Sequence, residues 1–217
     1  MTNPLTYQPA YRRNLPHIQP PGATLFVTFR LAGSLPVAVL ERWAEEAKAR
    51  ERLLVSLPEG ERAERRYLED RRFFGRYDAE LDKAAYGSLW LREPAVATVV
   101  AAVLREGDGT FYDLLAYTIM PNHVHMVFAP LPKGEDDYYA LPWIMHGLKR
   151  RTAWQANTIL GRTGSFWQRE FYDHYARDGR EVERIVGYVL NNPVKTGLAA
   201  SWEAWPWSYW RDGREAN

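Results

Sequence analysis

The sequence predicts an α+β fold: a ferredoxin-like antiparallel sheet with helices on one side, a helical insertion after the first strand and a further C-terminal helix. Three observations carry that prediction. β-Branched and aromatic runs that read as strands recur at residues 24–31, 111–119, 123–129 and 171–175. Two of them flank the turn signal Pro121-Asn122 and make a tight antiparallel hairpin. Helical periodicity fills the intervals, so the order is strand, helices, strand, strand, helix, strand, helix. That is a βαββαβ layout with an enlarged first crossover. An α+β domain carrying a separate helical subdomain at about 45–110 fits the same pattern.

Each element has a local reason. Thr24 to Leu31 opens after Pro20-Pro21-Gly22 and is rich in strand formers. Pro36 starts a helix to about Arg52, with Val39, Leu40, Trp43 and Ala47 on one stripe. From Glu51 to Tyr86 the chain is rich in Arg and Glu, which suits helical excursions interrupted at Pro58-Glu59-Gly60 and at Gly75. Pro94 begins an apolar helix, Val96 to Leu104, closed by Gly107-Asp108-Gly109. After the hairpin, a loop with Pro130, Pro132 and Gly134 leads to a helix from about Tyr139 to Leu160. Phe171 to Tyr175 is a short strand. Asp178 then caps a helix with Glu181 in the capping-box position, and Pro193 ends it. Residues 10–200 form a single catalytic domain in this reading, and 201–217 a Trp-rich tail.

Composition bounds the function. The 46% apolar and 14% aromatic content supports a packed core. Zero Cys excludes disulfide frameworks, thiolate zinc sites and Cys nucleophiles. No apolar run approaches the roughly 18 residues of a spanning helix, and the N-terminus has no signal-peptide core. The expectation is a cytoplasmic protein with no membrane partner. The net charge of +1 is small but unevenly distributed. Residues 1–35 carry Arg12, Arg13 and Arg30 with no acid, and 141–200 carry nine Lys/Arg against five Asp/Glu. The stretch 36–110 is nearly balanced, at thirteen against fifteen. Positive charge at the two flanks is compatible with a local phosphate-binding surface.

The chemistry concentrates in two places. On a strand, residues i and i+2 share a face, so His123, His125 and Val127 point one way and Val124, Met126 and Phe128 the other. Two imidazoles on a rigid strand can offer two nitrogens to one divalent cation. Taken alone, His-x-His is equally a pair of half-buried histidines satisfied by hydrogen bonds, and it needs a third ligand to become a site. The second place is the helix from Asp178, whose Val182, Ile185, Val186 and Val189 form an apolar stripe. With Val182 at zero and about 100° per residue, Tyr188 falls near ~240°, Asn192 near ~280° and Glu181 near ~260°. All three lie on one flank of the buried face, where a side chain can enter a cleft. Edge packing for Tyr188 and C-terminal capping for Asn192 are the plain alternatives.

Four segments in order give these residues a context. They are Tyr117-Thr118-Ile119-Met120-Pro121-Asn122-His123-Val124-His125, Phe166 to His174, Ile185 to Leu198 (containing Tyr188-Val189-Leu190-Asn191-Asn192-Pro193), and Trp205-Pro206-Trp207-Ser208. Together they resemble the single-tyrosine HUH transposases, and most closely the REP-associated tyrosine transposases of bacteria. Gly22 to Thr28 fits the family's first strand, and the stretch 45–110 is longer than in its smallest members. The resemblance implies that His123 and His125 are metal ligands, that Asn192 stands where related transposases often place Gln as third ligand, and that Tyr188 is the nucleophile. It implies Mg²⁺ or Mn²⁺ as the ion, a 5′-phosphotyrosine intermediate, and single-stranded or hairpin DNA, palindromic and beside a short single-stranded tag, as the partner. A phenol of pKa about 10 is a weak nucleophile at neutral pH, so metal polarisation of the phosphate is the expected compensation.

Substrate contacts are expected from Lys149, Arg150 and Arg151 on one helix, from Arg12 and Arg13 as an N-terminal arm, and from Arg169 and Lys195 beside the site-bearing segments. Three rival readings remain open at this point: a domesticated DNA hairpin-binding protein with a silent nuclease, a phosphoesterase using metal-activated water, and an enzyme whose nucleophile is Tyr172 or Tyr175. Monomer and homodimer are equally compatible with the sequence.

Overall fold

The computed structural model describes residues 6–8, 10–12, 16–135 and 137–214, with the backbone alone described at 10–12, 16–18 and 214. In chain order the elements are β1 (Ala10–Arg12), β2 (Pro16–Ile18), β3 (Leu25–Arg30), α1 (Val37–Ser56), α2 (Glu59–Asp82), α3 (Pro94–Glu106), β4 (Tyr112–Ile119), β5 (His123–Pro130), α4 (Leu141–Ile159), β6 (Tyr172–Tyr175), α5 (Gly179–Lys195) and β7 (Ser208–Trp210). The chain divides into two compact units, Ala32–Ser88 and the remainder.

The larger unit holds a five-stranded sheet in the order β6-β3-β5-β4-β7, with every neighbouring pair antiparallel. Its first four strands follow the ferredoxin-like order, because β3 and β5, the first and third in sequence, lie side by side at the centre. Alternation along these central strands sorts side chains between two faces. Leu25, Val27 and Phe29 of β3 and Val124, Met126 and Phe128 of β5 enter one apolar core with Val96, Val100 and Leu104 of α3 and Leu141, Ile144 and Leu148 of α4. Val124, Met126 and Phe128 are fully buried, each contributing roughly 1.5–3 kcal/mol. Gly107, closing α3, has a packing reason: a Cβ there would collide with the Tyr112 ring. The Tyr112 hydroxyl donates to the Leu104 carbonyl at 2.7 Å. Burial pushes that phenol well above its ordinary pKa, with the Asp108 carboxylate adding to the shift.

Helix α5 lies against the opposite face, contacting β4, β5 and β7. Packing there is incomplete, and a cavity of about 870 Å³ separates Val186 and Leu190 of α5 from Leu115, Ala129 and Trp210 of the sheet. The Trp-rich tail joins the sheet instead of trailing from it. β7 pairs with β4, the Trp205 indole donates to the Ile119 carbonyl at 3.0 Å, and Arg211 grips Asp113 through two bonds of 2.8 and 2.6 Å. The expected charged insertion at 45–110 is divided: its apolar α3 belongs to the sheet unit, and the other unit runs from Ala32 to Ser88.

The smaller unit is an antiparallel helical hairpin. Trp43 of α1 meets Phe73 and Tyr77 of α2 at ring distances of 5.6 and 5.9 Å. Cross-helix pairs Arg66–Glu51 (3.1 Å), Arg50–Asp70 (3.7 Å) and Arg76–Glu46 (2.8 Å) flank them, each worth about 1 kcal/mol or less at the surface.

Two helix breaks expected from sequence are absent. Gly75 lies inside α2, where one glycine costs about 1 kcal/mol, too little to interrupt a helix of 24 residues. Pro193 lies inside α5, which continues to Lys195. In the last turn its ring removes a single backbone donor, and the chain turns only after Gly197, with Leu198 N–H returning to the Pro193 carbonyl at 2.8 Å. Among the described residues, no helix is long and apolar enough to cross a membrane.

Candidate active site

The site grows from the β4–β5 hairpin. Met120 N–H bonds to the His123 carbonyl at 2.8 Å, closing the loop around Pro121-Asn122, and Leu31 N–H pins Asn122 through its carbonyl at 2.8 Å. His123 and His125 then point to the α5 face, opposite the apolar core, as their alternation with Val124 and Met126 requires. Register sets Thr28 directly across from His125 on one side and Thr118 on the other, with Arg30 across from His123. Tyr172 faces Thr28 from β6, and Ser208 faces Thr118 from β7. One polar row therefore crosses all five strands, with His125 at its centre.

Both imidazoles are held from behind. His123 Nδ1 lies 2.6 Å from Asn122 Oδ1, and His125 Nδ1 lies 2.7 Å from Thr28 Oγ1. If each Nδ1 carries its proton toward that oxygen, both Nε2 atoms present lone pairs. Those two Nε2 atoms are 3.1 Å apart, in the interior. Two lone pairs so close repel unless a proton or a cation sits between them.

Helix α5 brings the third group. Asn192 is fully buried, its Nδ2 is 3.2 Å from His125 Nε2, and its Oδ1 is buried without a hydrogen-bond partner. An amide oxygen and nitrogen are exchangeable in assignment, and a half-turn sets Oδ1 against the histidine pair. A six-coordinate cation with bonds of about 2.1 Å sets adjacent ligands ~3 Å apart, which matches the 3.1 and 3.2 Å spacings. The donor set, two imidazoles and an amide oxygen with no thiolate, fits a divalent metal ion.

Tyr188 stands one turn before Asn192. Its hydroxyl is 3.5 Å from Asn192 Nδ2, and its ring meets His125 at 5.8 Å and Phe26 at 6.2 Å, both edge-on. Lys195 Nζ lies over the Tyr188 ring at 5.8 Å from its centre. At the other end of the same flank, buried Glu181 receives the Arg177 N–H at 3.0 Å, Arg184 at 2.8 Å and His174 of β6 at 3.3 Å. Its own N–H goes to the Asp178 carboxylate at 2.8 Å, so Asp178 caps α5 while the return bond from Glu181 reaches Arg177, one residue before the cap.

The expected DNA contacts divide. Arg150 and Arg169 are exposed. Lys149 has a different employment from phosphate contact on an exposed face: its ammonium donates to the Gln168, Arg169 and Glu170 carbonyls at 2.9, 3.1 and 3.4 Å. Arg151 pairs with Glu106. Arg13, and the side chain of Arg12, lie outside the described residues. Thr28 and Asn122 were invisible as site residues in the sequence. Thr28 becomes recognisable only once the register of β3 against β5 is known.

No family model matches the chain. Two curated proteins do. One, from Haemophilus influenzae and provisionally named a REP-associated tyrosine transposase, is 29% identical over 103 residues, covering 45% of this chain and 58% of its own. The other, the REP-associated tyrosine transposase of Escherichia coli K12, is 29% identical over 97 residues, 45% of this chain and 53% of its own. The chain thus spans little more than half the length of these relatives. A solved structure of a REP-associated tyrosine transposase bound to a REP hairpin is similar with a TM-score of 0.48 and 18% identity, over 95% of this chain and 85% of that one.

Proposed function

We propose that this chain, a relative of the REP-associated tyrosine transposases over about half its length, is a metal-dependent endonuclease and strand transferase acting on single-stranded DNA at or near palindromic hairpin repeats. The observation that carries this reading is the meeting of His123 Nε2, His125 Nε2 and the Asn192 side-chain amide, whose Oδ1 is buried without a partner, beside the Tyr188 hydroxyl. His123, His125 and Asn192 would hold the ion. When bound, Mg²⁺ or Mn²⁺ supplies polarisation of the scissile phosphate and neutralises developing charge.

The chain's own residues do the rest. Thr28 and Asn122 hold the imidazoles so that their Nε2 lone pairs face inward. Phe26 and His125 pack against the Tyr188 ring and set its approach. The Tyr188 oxygen bonds to phosphorus as the P–O3′ bond breaks. The phenolic proton passes to solvent, and the departing 3′ oxygen takes one up to become a 3′-hydroxyl. The phosphotyrosine keeps the energy of the broken bond, so a 3′-hydroxyl from the same or another strand can reverse the step and rejoin DNA without a nucleotide cofactor. The proposed setting is the bacterial cytoplasm, where the DNA is.

A labelled hairpin oligonucleotide with a single-stranded flank, incubated with the chain and Mn²⁺, tests the reading. A covalent protein–DNA adduct lost in Tyr188→Phe is the expected result. Hydrolysis that survives Tyr188→Phe without an adduct identifies a water-using phosphoesterase. Binding with no cleavage by the unaltered chain identifies a DNA-binding protein with a silent nuclease.

A further inference from the structure

A second cavity, of about 430 Å³, opens between α4 and the segment that leads into β6. Every titratable side chain on its wall is basic: His146, Lys149, Arg150 and Arg169. In a chain of 28 Lys/Arg and 27 Asp/Glu, that local excess of one sign is a property of the place and not of the composition. Its deeper wall is apolar, with Phe166, Trp167 and Phe171 almost fully buried.

The walls are fixed from several directions. The Trp167 indole donates to Thr152 Oγ1 at 2.8 Å, and Asn157 Nδ2 to the Gly164 carbonyl at 3.0 Å. Lys149 spends its ammonium protons on the carbonyls of Gln168, Arg169 and Glu170, which locks the turn that presents Arg169. The exposed guanidinium groups of Arg150 and Arg169 then form the charged mouth. A pre-formed cavity with an apolar wall and a cationic mouth suits a ligand with a flat apolar part joined to an anion.

Position narrows the ligand further. Gln168 N–H bonds to the Arg30 carbonyl at 2.8 Å, and Arg30 is the cross-strand partner of His123. Two strand spacings, about 10 Å, therefore separate the backbone of Gln168 from that of His123. The cavity lies on the α4 side of the sheet and the imidazoles on the α5 side, so a single strand joining them passes round the border of the sheet at residues 167–171.

We propose that this cavity is a nucleotide subsite for the DNA strand cut at the histidine site: Arg150 and Arg169 take a phosphate, with His146 beside them, and the attached base enters against the apolar wall. Lys149 is a positioning residue that fixes the loop. The proposal rests on the DNA-cleaving reading above, and it adds where the strand runs once it leaves the reacting phosphate.

The test uses the full chain and a fluorescent hairpin oligonucleotide with a single-stranded flank, in EDTA so that no cleavage intervenes. Binding by anisotropy is followed over a salt series for the unaltered chain and for Arg150→Ala/Arg169→Ala. Loss of one neutralised single-strand phosphate lowers the slope of log K against log salt by about 0.7. It also weakens binding by roughly fourfold at physiological salt. In parallel, 5-iodouracil placed along the flank is photocrosslinked to the unaltered chain, with crosslinks expected in peptides spanning 142–171. An unchanged slope and affinity in the double variant, or crosslinks confined to other segments, overturns the subsite. Adduct formation at Tyr188 with an unchanged slope refutes the subsite alone. Crosslinking at 142–171 with no adduct sustains it and refutes cleavage. No binding by the unaltered chain refutes both.

Discussion

Replacing Thr28 by Val exchanges a hydroxyl for a methyl of nearly the same size. The change therefore tests one hydrogen bond with little effect on packing. That bond, 2.7 Å from Thr28 Oγ1 to His125 Nδ1, lies between two fully buried side chains. With the hydroxyl gone, a buried ring nitrogen is left without this partner, at a cost of about 1–3 kcal/mol. The functional effect is separate. An outer partner of a ligating histidine fixes its ring and tautomer, and its loss lowers metal affinity by about 10–100-fold, or ~1.4–2.8 kcal/mol. Urea unfolding gives the first quantity and titration with Mn²⁺, followed by electron paramagnetic resonance, the second. Thr28→Ser restores the hydroxyl while removing one methyl, so it should recover most of the metal affinity and lose about 0.8 kcal/mol of stability. Thr28→Val binding Mn²⁺ as the unaltered chain does would refute the reasoning. So would Thr28→Ser binding no better than Val.

Three other outcomes follow from the same geometry. A ligand that binds only the folded chain raises its stability by about 2.7 kcal/mol at one hundred times its Kd; Asn192→Ala should abolish most of this rise when Mn²⁺ is added, as read by thermal melting. Glu181→Ala should cost about 1–2 kcal/mol, because it removes the carboxylate that accepts the Arg177 N–H at the α5 cap. Its pairing with Arg184 adds little, since Arg184 is 53% exposed. Equal stability of Glu181→Ala and the unaltered chain in urea would refute that assignment. Gly187→Ala should stabilise by about 1 kcal/mol, because a Cβ at this helical position meets no heavy atom within 4 Å. A lower melting temperature for that variant would show that α5 needs the freedom of Gly187.

The hairpin was legible because its two strands are long and bounded by a Pro-Asn turn, and alternation alone assigned Val124, Met126 and Phe128 to the core. The stripe and cap of α5 were legible for similar reasons, and with them the shared flank of Tyr188, Asn192 and Glu181. Local signals misjudged the breaks at Gly75 and Pro193, since each residue costs one local interaction in a helix secured elsewhere. Long-range facts were out of reach. Thr28 needs the β3–β5 register, and the occupation of Lys149 needs the return of the chain to α4. β7 has three residues, too few to show a period, and its pairing depends on a free edge of β4.

That last strand bears on assembly. A sheet edge with a long row of open backbone donors and acceptors invites a second molecule to continue it. Here β7 takes the outer side of β4 and leaves only three residues at that margin. The opposite margin is β6, four residues long and carrying Asp173 and His174. Neither border offers a template of useful length. Among the described residues, a second copy continuing the five-stranded sheet at either margin would gain backbone bonds along only three or four residues.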